Sequence, residues 1–169
     1  MNQRLVPCFT GALLLFAACN PVNSDAIAAL GGENPNVRRG PLHRPGQPCL
    51  LCHDGQLGNP PAFSIAGTVF EFPGAVVGAD LASVVLTDAD GGVQQTLTNA
   101  AGNFYLTPSD WSPTFPLTKV TVTGANGVTA TMQSEVGRDG ACASCHVDPP
   151  SSSSPGHVAV SAEDGGALP

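Results

Sequence analysis

The sequence predicts a mainly β protein, an antiparallel sandwich of six to seven short strands flanked by two cysteine-bearing segments and flexible termini. Three observations carry that expectation. Glycine (20) and proline (16) together exceed a fifth of the 169 residues, a proportion that interrupts long helices and favours turns. Short runs rich in valine and threonine alternate in polarity, as half-buried strands do. Between them stand strong turn sequences such as Asp88-Ala89-Asp90-Gly91-Gly92 and Gly124-Ala125-Asn126-Gly127.

The elements follow in order. Residues 1–18 combine one positive charge at Arg4, an apolar run over 11–16 and the small pair Ala17-Ala18, the pattern of a secretory signal sequence too short to span a membrane. Phe16-Ala17-Ala18-Cys19 resembles a bacterial lipobox, with phenylalanine where leucine is usual, so Cys19 is the expected site of lipidation. Residues 19–40 read as a flexible tether, with a brief helix over 25–30 before Gly31-Gly32 and several prolines. Residues 41–62 hold the first cysteine segment, 63–133 the sandwich, 134–150 the second cysteine segment and 151–169 a flexible tail that opens on serines and prolines. Within the sandwich, strands are expected over 64–71, 82–87, 93–98, 104–106, 117–123 and 128–132. The run 117–123 is the clearest: Leu117, Lys119, Thr121 and Thr123 share one face, and Thr118, Val120 and Val122 the other.

Residues 63–133 resemble the carboxypeptidase regulatory-like, transthyretin-like sandwich family. The resemblance is carried by Ala66-Gly67-Thr68-Val69, by Ser83-Val84-Val85-Leu86-Thr87-Asp88, and by 98–106, which matches a Thr-Asp-x-x-Gly-x-Phe pattern with Asn99 in place of the acid. It implies seven strands and a scaffold or binding module without catalytic residues.

Two copies of one pentapeptide frame this region: Cys49-Leu50-Leu51-Cys52-His53 and Cys142-Ala143-Ser144-Cys145-His146. Cys-x-x-Cys-His is the attachment pattern of c-type haem. Two intervening residues set both sulfurs on one face of a helical turn, and the next residue brings imidazole over the ring they anchor. Cys49, Cys52, Cys142 and Cys145 are therefore the expected thioether sites of two haems, and His53 and His146 the proximal iron ligands. Of six cysteines, Cys8 leaves with the signal and Cys19 carries lipid, so no thiol remains for a disulfide. The competing reading is a non-redox envelope module whose cysteine pairs form disulfides or a zinc site. Disulfides leave both histidines unexplained, and zinc sites usually gather their ligands over about 15–20 residues, whereas these pairs stand about ninety positions apart.

Each iron needs a second axial ligand, and His43 and His157 are the two unassigned histidines, each within eleven residues of a motif histidine. Met132 is the competitor, since a thioether is the other frequent distal partner. Seven antiparallel strands between the motifs place them at opposite poles, roughly 25–30 Å apart, which favours conduction between self-associated molecules.

Charge excludes other classes. Only 11% of residues are charged and the net charge is −7, giving nucleic-acid binding no electrostatic support. Without Arg4 it becomes −8, an acidity that favours basic partner surfaces. No Gly-x-Ser-x-Gly elbow is present, and Asp88 with Asp90 lacks the rest of a calcium loop, so neither enzyme nor calcium chemistry is expected. The expected function is single-electron transport between redox partner proteins at a bacterial cell envelope, periplasmic or at the surface. Asn20, lacking the aspartate of inner-membrane retention, favours the outer membrane.

Overall fold

The computed structural model describes residues 23–33, 35–37, 39–56 and 61–161; the expected signal sequence and the expected lipidation site Cys19 lie outside them. Two short helices come first, α1 (Ser24–Ala29) and α2 (Leu50–His53). Seven strands follow: β1 (Ile65–Phe70), β2 (Ser83–Thr87), β3 (Val93–Leu97), β4 (Asn103–Leu106), β5 (Lys119–Thr123), β6 (Thr129–Thr131) and β7 (Val158–Ala159). They form two sheets, in the orders β4-β1-β7 and β3-β2-β5-β6. A 3-10 turn, Cys142–Ser144, lies between β6 and β7.

Alternation builds the core. In β2, Val84 and Leu86 are fully buried while Ser83, Val85 and Thr87 are half-buried. They pack with Ile65 and Val69 of β1, Phe104 and Leu106 of β4, and Val122 of β5. Full burial of each large side chain contributes about 1.5–3 kcal/mol. The opposite face of the second sheet is threonine-rich, with Thr121 and Thr123 pairing their hydroxyls across strands to Thr131 and Thr129.

The turns are closed by side chains. The Asp88 carboxylate accepts the amides of Gly92 at 2.7 Å and Asp90 at 3.1 Å, a hairpin device that employs the acid within the turn. Asn99 does the same for Ala101 and Asn103, so the amide that replaces the expected acid still closes its turn. Gly102 has φ +75°, and a Cβ there would lie 2.1 Å from the Val69 carbonyl oxygen. Only glycine fits.

β1 is buried along its whole length. Ile65 and Val69 face the core between the sheets, whereas Thr68 and Phe70 are covered by the loop before the first cysteine motif. That cover is what brings the first motif to the sheet.

Two expectations are corrected. The tail from 151 is not free through 161: Val69 and Phe70 pair in parallel with Val158 and Ala159, and Ser161 donates its hydroxyl to the Glu71 carbonyl. The sandwich is thus antiparallel except at β7. The motifs also do not stand at opposite poles. Six strands lie between them, since β7 follows the second motif. Ala141, just before Cys142, bridges Ala66 of β1, while Phe63, just before β1, donates its amide to the His53 carbonyl at 2.8 Å.

Candidate cofactor site

Each pentapeptide folds into one helical turn. The amides of Cys52 and His53 donate to the Cys49 carbonyl at 3.2 and 2.9 Å, and those of Cys145 and His146 to the Cys142 carbonyl at 3.2 and 3.0 Å. Two copies far apart in sequence thus adopt the same local shape. Spacings of three and four residues put both sulfurs and the imidazole of each copy on one side of its turn. All four thiols are free.

The histidines are oriented through the nitrogen nearer the backbone. His53 Nδ1 donates to the Pro61 carbonyl at 2.8 Å, His146 Nδ1 to the Gly156 carbonyl at 3.0 Å, and His43 Nδ1 to the Gly40 carbonyl. A carbonyl can only accept, so each Nδ1 carries the proton and each neutral ring keeps its lone pair at Nε2. A metal-ligating histidine is held in the same way, its other ring nitrogen donating to a carbonyl.

His43 and His53 come together, their ring centroids 5.9 Å apart and planes 58° apart. Imidazoles that share one metal through bonds of about 2 Å can hold their centroids roughly 6 Å apart, and the separation of this pair matches that. Cys49, Cys52, His43 and His53 all line one cavity of about 410 Å³, within the usual size of a ligand site. Phe63, Phe104 and Tyr105 provide its aromatic wall. Phe63 stacks on both His53 and Tyr105, at 4.6 Å each, and so fixes the plane of the His53 ring.

Arg39 and Arg44 line the same cavity, with Glu33 3.2 and 3.7 Å from their guanidinium groups. Desolvation opposes ionisation of Glu33, but Arg39, Arg44 and His43 hold its carboxyl below the usual range. Arg44 also donates to the Gly31 carbonyl at 3.0 Å, tying the segment after α1 to the site.

His157 and Met132 are placed differently. The His157 ring stacks on Phe70 at 4.2 Å, 9° from parallel, and no contact between the His157 and His146 rings is seen among the described residues. The His157 Nδ1 is buried without a hydrogen-bond partner among the described residues, an orphaned polar atom of the kind a bound group can satisfy. Met132 follows β6 at the edge of the second sheet, its amide bonded to the Val120 carbonyl, and does not line the cavity.

Sequence reasoning missed the residues that dock the motifs. Thr68 accepts the Gly46 amide at 2.8 Å and donates to Asn103 Oδ1 at 2.8 Å, while Asn103 Nδ2 donates to the carbonyls of Pro41 and His43. Gly67 makes room for Cys142: a Cβ there would lie 2.9 Å from the Cys142 Cβ. Thr68→Val keeps the shape of the side chain but strands the Gly46 amide, and is expected to destabilise the chain by about 2 kcal/mol. A lowered denaturant midpoint with faster hydrogen exchange at Gly46 checks this.

Burial pushes the Cys142 thiol up to about 12, with the charges of Cys49, Asp139 and Cys145 adding to the effect. Burial likewise raises Cys49, helped by Cys52. Cys145 is exposed. In the haem-free chain, Cys145 is expected to alkylate first and Cys142 last, as peptide mass analysis over time can show. Because the folded Cys142 keeps its proton above its ordinary value of 9.0, its contribution to stability is full below pH 9. It is lost as pH rises towards about 12.

Comparison with protein-family models, curated proteins and solved structures finds no match to this chain. Among the described residues no three His, Cys, Asp or Glu side chains gather into a metal-ion site, and no helix is long and apolar enough to cross a membrane. A closed zinc site takes four ligands; an iron held by a porphyrin takes two from the chain.

Proposed function

We propose that the chain is a c-type cytochrome, an exported lipoprotein that carries single electrons through two covalently held haems on a carboxypeptidase regulatory-like β scaffold. The observation that carries this reading is the paired imidazoles of His43 and His53 in one cavity with the thiols of Cys49 and Cys52. The repetition of the same turn at Cys142, Cys145 and His146 supports a second group. When bound, haem supplies an iron that accepts and returns one electron.

The chain's own residues do the rest. Cys49 and Cys52 would anchor one porphyrin and Cys142 and Cys145 the other; His53 and His146 would each ligate an iron. His43 would supply a further ligand to the first iron, and His157 is the candidate for the second. Phe63 and Tyr105 hold the His53 plane, and the aromatic wall keeps water from one side of the cavity, which tunes potential through dielectric and ligand orientation. Arg39 and Arg44 offer charge partners to carboxylates at the rim. Cys19 anchors the protein by lipid to the cell envelope, where it meets redox partner proteins and no bond of a substrate is broken.

Expression with a cytochrome c maturation apparatus tests the reading. Sharp Soret and α bands on reduction support it. A colourless protein that folds with four free thiols refutes it.

A further inference from the structure

We infer that Cys49 and Cys142 hold the two haems edge to edge, as one interacting pair within a single molecule. The inference rests on the cytochrome reading and adds an arrangement to it.

Both motifs are fastened to three consecutive residues of one strand. Ala66 bridges Ala141, Gly67 abuts Cys142, and Thr68 holds the amide of Gly46 in the loop leading to Cys49. At about 3.3 Å per residue, the anchoring points span only about 7 Å along the strand, with Gly67 and Thr68 on its opposite faces. A second contact joins the segments away from the strand: His157, after the second motif, places Nε2 3.4 Å from where a Cβ on Gly46 would stand, with Phe70 against both. Gly46 stands three residues before Cys49, so Cys49 and Cys142 lie on neighbouring segments of the fold.

Thioether chemistry turns this into a statement about the cofactors. Each sulfur joins a porphyrin through a single carbon, so it marks the position of one ring edge. Two edges marked by sulfurs on neighbouring segments are brought close to each other. Groups so close feel each other's charge, and an electron on one disfavours an electron on the other. The pair then titrates as a coupled unit.

The test has two arms. In the haem-free chain, a short thiol-to-thiol crosslinker is expected to join the peptides of Cys49 and Cys142; joining only within each motif overturns the adjacency without bearing on haem. In protein matured with haem, paramagnetic resonance of the oxidised wild type is expected to show lines broadened by mutual coupling. Its redox titration is expected to differ from the sum of the C49A/C52A and C142A/C145A proteins. Uncoupled lines in the wild type overturn the inference even where a variant fails to fold. Matured protein without haem overturns the cytochrome reading itself.

Discussion

Replacing His43 with alanine is expected to convert the first haem from six-coordinate low spin to five-coordinate high spin, removing roughly half of the low-spin signal of a two-haem protein. His43 is the group across the cavity from His53, at 5.9 Å between centroids, with its Nδ1 fixed on the Gly40 carbonyl and Nε2 left for the metal. The loop that carries it is docked by Asn99 and Asn103, whose amides donate to the Pro41 carbonyl, so the ligand is supplied by an ordered segment at small entropic cost. Met132 is not expected to replace it, because that residue is held at the edge of the second sheet by Val120. Loss of a nitrogen ligand also shifts the potential. Visible and paramagnetic spectra of the oxidised variant check both effects; an unchanged low-spin spectrum shows that the distal ligand lies elsewhere.

Gly67→Val is expected to destabilise the chain by about 3 kcal/mol and to detach Cys142 from β1. A Cβ at this position meets the Cys142 Cβ and the Phe104 Cε1 at 2.9 Å each, closer than carbon atoms pack. Neither neighbour yields easily. Phe104 is a core residue directly opposite Gly67 in the β1–β4 register, and the turn before Cys142 is tied down by the Ala66 amide on the Gly140 carbonyl at 2.9 Å. The valine therefore opens either the core or the site. A melting temperature lowered by about 10 °C, with faster alkylation of Cys142 in the haem-free chain, is the expected result. Wild-type melting and wild-type labelling contradict it.

Local patterns were legible in the sequence, and long-range ones were not. The six strands from β1 to β6 are written in alternation and turn residues, and the expected run over 117–123 contains β5. β7 is two residues long and follows serines, a proline and a glycine; only its pairing with Val69 and Phe70 makes it a strand. The helical turns of the pentapeptides were legible because their geometry closes within five residues. His43 and His157 were both legible as candidate ligands, but the sequence did not pair either with a particular motif. That His43 lies beside His53, and His157 beside Phe70 and Gly46, depends on contacts between segments that only the fold brings together. The same reason hid Thr68, Gly67, Phe63 and Tyr105, whose roles exist only once β1 and β4 are paired. Seven strands were expected between the motifs, but the seventh falls after the second motif, which leaves six between them.

The most direct test of the central claim is the mass of the peptides spanning residues 49–53 and 142–146, from protein produced with the maturation apparatus. The account predicts that each peptide carries one haem through two thioether bonds. Recovery of both peptides unmodified, with Cys49, Cys52, Cys142 and Cys145 still alkylatable, contradicts it.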